Sequence, residues 1–268
     1  MSIILRWLRC ALCLLAAGVL AAAPLLPRDE ITRRLRLASG RGDKQRAVLL
    51  TQLFTAAGCP ASALTMQRVP HERLPNLICS LPGPDPSTII VAAHYDHVVE
   101  GDGIADNWSG ACLLPSLLQS LPASHRHTFV FIAFSGEEDG LVGSQFYVQS
   151  LSPADRAAVR AVVDFDTLGL GPTKVWVSHS AAPLVSLAAQ VAQQLELPIA
   201  GVDVDNVGTT DSQSFTEQHI PTITFHSLTS ETLPVLHSIR DNFKVIRLAD
   251  YYDTYRLLSG YLRAVDAR

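Results

Sequence analysis

Basic clusters, internal repeats and low-complexity tracts are absent from the sequence after residue 23. Lysine and arginine number 21 against 25 aspartate and glutamate, and two of the arginines, Arg6 and Arg9, lie in the leading segment. Proteins that bind nucleic acid usually present a basic patch, so nucleic acid is not an expected partner. Glycine and proline, 16 residues each, are too few to indicate disorder or a fibrous repeat. The 268 residues, 48% of them hydrophobic, are sufficient for one sizeable core.

The sequence also lacks an uncharged run long enough to cross a bilayer. Residues 10–23 contain no charge and follow a basic front, but a membrane-spanning helix needs roughly 20 such residues. This pattern predicts a signal peptide over residues 1–23 and a periplasmic or secreted protein. Because Leu25 and Leu26 extend the apolar stretch and Pro24 is unfavourable just after a cleavage site, a retained membrane anchor stays open as an alternative. A cleaved leader would leave no stable membrane span.

Cysteine is scarce, and two of the five cysteines, Cys10 and Cys13, lie in the leader. The other three are Cys59, Cys79 and Cys112, an odd number. In an oxidising compartment Cys59 and Cys79 can form a disulfide that leaves Cys112 free. The alternative is that all three are small buried hydrophobic residues.

Short apolar runs alternate with stretches of helical periodicity after the leader. Residues 88–93, 128–134 and 161–165 are rich in β-branched or aromatic residues and have the length of strands, and residues 221–225 form a fourth such run. Helical patterns cover residues 44–57, 109–121, 181–195 and 246–265. This alternation predicts an α/β fold, a three-layer sandwich with a mixed, mostly parallel central sheet flanked by helices.

Histidine or carboxylate side chains follow each of the four predicted strands. In open α/β sheets, functional sites form outside the carboxyl ends of the strands, so we expect these side chains to lie at one edge. In chain order they are His94 and Asp96, Glu137 and Glu138, Asp166, and His226 with the later His237. Imidazole and carboxylate without thiolate suit a catalytic zinc that keeps an open coordination position. An adjacent Glu-Glu pair can divide two roles, one as metal ligand and the other as general base.

At these residues the sequence resembles the zinc metallopeptidase family of the secreted bacterial leucyl aminopeptidases. The sequence His94-Tyr95-Asp96 is similar to the family's first metal motif, and residues 103–110, Gly-Ile-Ala-Asp-Asn-Trp-Ser-Gly, are similar to its second. Residues 134–144 resemble the segment that supplies the base and one ligand. The segments Asp166-Thr167-Leu168-Gly169 and His237 to Asn242 resemble the remaining two motifs.

The resemblance implies a site with two zinc ions per chain and a peptide with a free N-terminus as substrate. One zinc is expected on His94, Asp106 and Asp166, and the other on Asp106, Glu138 and His237. Asp106 then bridges the two metals, Glu137 acts as the general base, and the carboxylate of Asp96 orients His94. Residues 24–268 are predicted to be a single zinc peptidase catalytic domain, a metallo-aminopeptidase of unknown oligomeric state.

Some polar or aromatic residues near these motifs have no assigned role. Trp108 replaces the small residue usual beside the bridging aspartate, and it either narrows the substrate pocket or packs internally. Asp211 matches one position of a family Ser-Asp-His motif, which suggests a supporting role. His97 and His226 are interpreted as structural or pocket-lining, and the Thr-Leu-Gly that follows Asp166 selects it over Asp164 as the ligand.

Two other functions share this fold. Glutaminyl cyclases, transferases with a single zinc, are similar at the bridging aspartate, the Glu-Glu pair and the last histidine. Against a cyclase, the second motif keeps Asn107 and Ser109-Gly110, and residues 138–144 run without an insertion. A non-catalytic ectodomain of the transferrin-receptor kind is the second alternative, but such domains typically lose metal ligands and here every ligand position is filled.

Overall fold

The computed structural model describes residues 24–206 and 208–268, so the predicted signal peptide over residues 1–23 lies outside the described residues. The helices are α1 (Arg28–Arg36), α2 (Asp43–Ala56), α3 (Ser109–Ala111), α4 (Leu113–Gln119), α5 (Val142–Ser150), α6 (Pro153–Ala158), α7 (Ala182–Leu195), α8 (Ser212–Thr216) and α9 (Leu248–Asp266). The strands are β1 (Leu64–Gln67), β2 (Asn76–Leu81), β3 (Asp85–His94), β4 (His127–Phe134), β5 (Val159–Phe165), β6 (Lys174–Val175), β7 (Ala200–Gly201) and β8 (Thr222–His226). Among the helices of these residues, none has the length and apolar character needed to cross a bilayer.

The described strands form one mixed sheet in the order β1-β2-β4-β3-β5-β8-β6-β7. The four central strands β4, β3, β5 and β8 are parallel to one another. Strand β2 pairs antiparallel with β4 on one side, and β6 pairs antiparallel with β8 on the other. The predicted mixed sheet is therefore confirmed, with its parallel part at the centre.

Successive side chains of the central strands enter two different cores. In β3, Ile89 and Val91 belong to a large apolar cluster that includes residues of α1, α2, α4, α7 and α9. Ile90 and Ala92 face the other way, into a smaller cluster with Tyr147 of α5 and residues of α8. Because a strand directs alternate side chains to opposite faces, the continuous apolar run of β3 fills both helix–sheet interfaces. The three-layer α/β sandwich is confirmed.

The elements predicted from the sequence are present, with one division. The predicted helix over residues 109–121 is split at Cys112 into α3 and α4. Pro115 lacks the N–H that would donate to the carbonyl of Ala111, which explains a break at this point. Strands β1 and β2 were not predicted. In β1, Thr65 and Met66 are exposed, so this strand has no continuous run of buried apolar residues that a sequence pattern would indicate.

A disulfide links Cys59, just beyond the end of α2, to Cys79 in β2, with Cα atoms 6.2 Å apart. Of the two interpretations open for these cysteines, the structure contains the bridge. Cys112 is free and buried, and its Sγ lies 3.1 Å from the Tyr251 hydroxyl. The bridge ties α2 to the sheet and closes a loop with a sequence separation of 20.

We expect removal of this disulfide to destabilise the protein by about 3 kcal/mol, because a closed loop of this length restricts the unfolded chain by about that amount. The double variant Cys59→Ser/Cys79→Ser should lose this much free energy of unfolding in urea titrations and should not respond to reductant. Wild type and the control variant Cys112→Ser should both be destabilised by dithiothreitol. Equal stability of wild type with and without reductant would contradict the expectation.

Candidate metal centre

The carboxyl edge of the central strands collects the candidate residues. His94 is the last residue of β3 and pairs in register with Phe134, the last residue of β4. Asp166 directly follows β5, whose last residue pairs with Phe225 of β8. Glu137 and Glu138 lie in the turn between β4 and α5. Helix α5 begins at Val142, so the pair precedes this helix. Parallel pairing thus brings the ends of these strands to one place.

The segment carrying Asp106 is fixed by the residues that follow it. Asn107, joined to Asp106 by a cis peptide bond, donates from Nδ2 to the carbonyl of Phe165 at 2.7 Å. The hydroxyl of Ser109 accepts a hydrogen bond from the backbone N–H of Leu168 at 2.9 Å. A Cβ on Gly110 would lie 2.8 Å from the carbonyl oxygen of Phe165, so the backbones approach more closely than a larger residue permits. These contacts hold the Asp106 segment against the segment that carries Asp166.

Asp106 directs its two carboxylate oxygens toward two different histidines. Its Oδ1 lies 3.3 Å from Nε2 of His94, and its Oδ2 lies 3.3 Å from Nε2 of His237. The carboxylate is buried, whereas the side chain of His237 is 56% exposed and forms the solvent side of the site. His237 has a positive φ of 51°, a backbone conformation that is unfavourable for a non-glycine residue and is often found at functional sites.

Two further carboxylates complete two groups of three ligands around Asp106. Asp166 Oδ1 lies 3.8 Å from Nε2 of His94, and Glu138 Oε2 lies 3.1 Å from Nε2 of His237. In each group the candidate ligand atoms lie within 4.8 Å of one another. The groups are His94 with Asp106 and Asp166, and His237 with Asp106 and Glu138; a third combination joins His94, Glu137 and Glu138. The structure therefore brings together all five ligands predicted from the sequence, in the two predicted sets.

His94 is held in one orientation by Asp96. Its Nδ1 lies 3.2 Å from the backbone carbonyl of Asp96, whereas the Asp96 carboxylate is 3.7 Å away. That carboxylate accepts a hydrogen bond from the backbone N–H of Glu138 at 3.1 Å. A proton on Nδ1 leaves the lone pair of Nε2 directed into the site. Asp96 therefore contacts both His94 and the Glu137-Glu138 turn.

Negative charge is concentrated at the site. Burial, together with the nearby carboxylates Asp166, Asp211 and Asp106, raises the pKa of Glu137 to about 10 despite the opposing effect of His94. Burial and the Asp106 carboxylate raise the pKa of Glu138 to about 7. The hydrogen bond to Asp106 raises the pKa of His237 to about 9. Carboxylates placed this close cannot all ionise without a compensating positive charge.

A divalent cation fits these residues. Within the described residues, neither Nε2 of His94 nor Oε1 of Glu138 has a hydrogen-bond partner, although both atoms are buried. Buried polar atoms without partners are costly, and a metal ion would satisfy them. Imidazole nitrogens and carboxylate oxygens, without thiolates, are the donors of catalytic zinc sites. Both the buried atoms without partners and the nitrogen and oxygen donors of the site therefore fit a divalent metal ion.

A cavity of about 270 Å³ opens beside the Glu137-Glu138 turn. Glu137, Glu138 and Asp166 line its polar end. The apolar part of its lining comes from later in the chain and comprises Trp176, Val204, Leu228 and Leu236. These four residues have no signal in the sequence, since they come from separate segments without a shared motif. The cavity suits a small molecule or residue that has an apolar side chain and a polar group, with the polar group next to the carboxylates.

Residues 76–261 match Peptidase family M28. The chain belongs to this family. A relative is leupeptin-inactivating enzyme 1 of Streptomyces exfoliatus, 39% identical over 98 residues, which are 35% of this chain and 22% of that enzyme. The chain thus spans about a fifth of the length of this relative.

Two solved structures share the fold at low identity. The LapA aminopeptidase of Legionella pneumophila superposes with a TM-score of 0.76 at 20% identity, covering 90% of this chain and 71% of that chain. The glutaminyl cyclase of an Acidobacteriales bacterium superposes with a TM-score of 0.73 at 16% identity, covering 90% and 94%. These likenesses show the fold alone, which the chain shares with an aminopeptidase and with a glutaminyl cyclase.

The four residues near the motifs that were not assigned as metal ligands are fully or partly buried. Trp108 is fully buried and its indole N–H donates to the carbonyl of Arg34 at 3.1 Å, which supports the packing interpretation. His226 lines the cavity, with Nε2 2.9 Å from the carbonyl of Val202. Burial lowers the pKa of His226 to about 4, so its ring is neutral. His97 lies 2.6 Å from Asp43, and Asp211 is buried.

The shared position of Asp106 leads to a prediction about metal content. Asp106→Asn replaces one of the two oxygens that face the histidines and removes the negative charge, so affinity should fall in both ligand groups. The loss should exceed the roughly 10–100-fold that follows removal of an outer hydrogen-bonding partner. Zinc per chain, measured by mass spectrometry of dialysed protein, checks this prediction. The control is Asp139→Asn, at an exposed aspartate next to Glu138 in sequence. Full zinc content in Asp106→Asn would remove Asp106 from the bridging position.

Proposed function

We propose that this protein is a two-zinc aminopeptidase that hydrolyses the N-terminal residue from peptides with a free N-terminus. The observation that carries the proposal is the sharing of Asp106 between two ligand groups, each completed by one histidine and one further carboxylate. Membership in Peptidase family M28 supports peptide hydrolysis. The names of relatives such as the Pseudomonas aeruginosa aminopeptidase support removal of N-terminal residues.

In the proposed site His94, Asp106 and Asp166 would hold one zinc, and Asp106, Glu138 and His237 would hold the other. When bound, the pair would supply Lewis acidity for water activation and positive charge opposite the oxygen of the scissile carbonyl. Asp96 keeps the His94 ring oriented through its carbonyl, and its carboxylate fixes the backbone of Glu138. Asp96 therefore contacts one residue of each ligand group, His94 and Glu138.

Glu137 is the proposed general base. Its Oε2 lies 3.9 Å from Nε2 of His94, and the residue lines the cavity, so it is next to the ligands and faces the substrate space. Its carboxylate takes the proton of the attacking water and then delivers it to the leaving amine. Neighbouring divalent cations would lower its raised pKa by electrostatic attraction, which suits the role of a base at neutral pH.

The cavity supports cleavage at the peptide's N-terminus. Its apolar walls at Trp176, Leu228 and Leu236 accommodate the first side chain of the substrate. Its acidic end offers carboxylates to a positively charged α-amino group, whereas an acetylated N-terminus has no charge to match. The cavity volume of about 270 Å³ is sufficient for one substrate side chain.

We also propose that the protein works in the periplasm or is secreted, and that residues 24–268 are one catalytic domain. The Cys59–Cys79 disulfide supports an oxidising compartment. The main apolar cluster includes Ile31 of α1 and Val265 of α9, which supports one domain from end to end.

The two adjacent glutamates should respond differently to the same substitution. Glu137→Gln keeps the ligands but removes the proton acceptor, so zinc content should be unchanged while the rate falls by about 10²–10⁴-fold. Glu138→Gln weakens one ligand and should lower zinc content. Zinc analysis and aminoacyl-anilide hydrolysis, measured side by side on both variants, check this. The reverse pattern would exchange the base and ligand assignments within the pair.

A second experiment separates the peptidase from a cyclase, whose fold is also matched. A peptidase needs an activated water, whereas in a cyclase the substrate's own amine attacks and ammonia leaves. We expect release of free amino acids from unblocked dipeptides, no cleavage of N-acetylated versions, and loss of activity with a zinc chelator that added zinc restores. Ring closure of a glutamine-terminated peptide with ammonia release, and no cleavage of any unblocked peptide, would establish the cyclase. Zinc binding without either activity would favour a non-catalytic domain.

A further inference from the structure

Arg46 is a fully buried arginine on helix α2, outside the segment that matches the M28 family. It shares the buried face of this helix with Leu50, Leu53 and Phe54. Apolar residues are usual at such positions, and a buried guanidinium is rare unless it is paired and hydrogen-bonded. The contacts of Arg46 therefore need a structural explanation.

The Arg46 guanidinium binds both ends of the loop that separates the first two metal motifs. Its Nη1 donates to the carbonyl of Tyr95 at 3.2 Å, and Tyr95 lies between His94 and Asp96. Its Nη2 donates to the carbonyl of Gly103 at 3.0 Å and also to that of Asp102. One planar side chain thus joins the backbone beside His94 to the backbone that leads into Asp106.

The far side of the same loop is fixed by Asp241, four residues after His237. The Asp241 carboxylate accepts hydrogen bonds from the backbone N–H of Ala105 at 2.6 Å and of Asp106 at 3.0 Å. The Asp241 carbonyl accepts another from the N–H of Asp102 at 2.7 Å. The loop is therefore held between α2 and the segment that carries His237.

At two glycines this loop packs closely against its surroundings. A Cβ on Gly103 would lie 2.4 Å from Cβ of His97 and 2.9 Å from Nη2 of Arg46. A Cβ on Gly101 would lie 2.3 Å from the carbonyl oxygen of Ser238. The loop thus approaches both Arg46 and the His237 segment at distances that only glycine allows.

The charges around Arg46 favour a cation at this position. Asp43, Asp96, Asp102 and Asp241 all act on it, and their attraction opposes the effect of burial, which lowers the pKa of the guanidinium. The guanidinium also lies 5.9 Å from the ring of Trp108. A buried cation among carboxylates, with its donors used on backbone carbonyls, is satisfied in both charge and hydrogen bonding.

We infer that Arg46 is a positioning residue of the metal centre: by fixing the loop over residues 95–103, it sets the separation of His94 and Asp106 and so the affinity for metal. This inference rests on the proposed two-metal site. It extends the functional unit to helix α2, which lies before residue 76, where the family match begins. The hydrogen bonds of the guanidinium go to backbone carbonyls and not to the candidate ligand side chains, so Arg46 acts through the backbone.

Competition between the zinc-loaded protein and a chromophoric chelator measures the predicted effect. Arg46→Met keeps much of the side chain's length but removes the charge and the donors, and it should lower zinc affinity by about 10–100-fold, the usual cost of losing an outer partner. Arg46→Lys keeps the charge, but a single ammonium cannot bind carbonyls at both ends of the loop, so it should recover only part of the affinity. The visible spectrum of the cobalt-substituted protein should change in both variants, because the arrangement of the ligands is altered.

Arg34→Met is the matched control. Arg34 is also a buried arginine on an N-terminal helix, but its guanidinium binds Glu30, Ser116 and Gln119, away from the loop. This variant should lose stability in urea titrations and yet keep wild-type zinc affinity and cobalt spectrum. A merely structural role for Arg46 would give the same result in Arg46→Met, with stability lowered and zinc affinity unchanged, and that result would overturn the inference.

The outcomes distinguish this inference from the function on which it rests. If wild type binds no zinc, the two-metal proposal fails. If wild type binds zinc and Arg46→Met binds it equally well, only the role of Arg46 fails. Should Arg46→Met not fold, Arg46→Lys decides: a weakened zinc affinity in the folded variant supports the inference, and wild-type affinity overturns it.

Discussion

The carboxylate of Asp106 faces two imidazoles at equal distances of 3.3 Å, and the arrangement of the whole site depends on keeping it there. His94 is the last residue of β3, whereas His237 lies in the segment between β8 and α9. The backbone around Asp106 is bound on one side through Asn107 to the end of β5 and on the other side through Asp241 to the His237 segment. A displacement of this one carboxylate would therefore disrupt two ligand groups at the same time.

The site concentrates charge that the fold has to tolerate. Glu137, Glu138 and Asp166 lie near Asp106 at the end of an apolar sheet, where their partial burial limits the screening of their repulsion by water. Burial and this repulsion together raise the pKa values of Glu137 and Glu138. The two apolar cores on either side of β3 supply the stability that offsets it, because they are built almost entirely from aliphatic and aromatic side chains. A rigid scaffold carrying an electrostatically unfavourable site is a common arrangement in metalloenzymes.

Sequence patterns predicted the central strands and the five candidate ligands because both leave local signals. The apolar run of β3 is continuous, and His94, Asp106 and His237 each stand in a recognisable motif. The role of Arg46 left no such signal beyond a charged residue on the apolar face of α2, because its partners are backbone carbonyls that every residue carries. The cavity walls at Trp176 and Leu236 were missed for a related reason, since their proximity arises only when separate loops fold over the same edge.

The position of the disulfide has a consequence for how the protein withstands proteolysis. Cys59 precedes the segment matched by the family and Cys79 lies within it. Between them, residues such as Arg68, His71 and Arg73 are exposed in a surface loop, where a protease that cleaves after basic residues can reach the chain. A cut there would leave α1 and α2 covalently attached to the sheet through the Cys59–Cys79 bond. The nicked protein would keep Arg46 in place, so a single cleavage in this loop would not separate helix α2 from the loop that it supports.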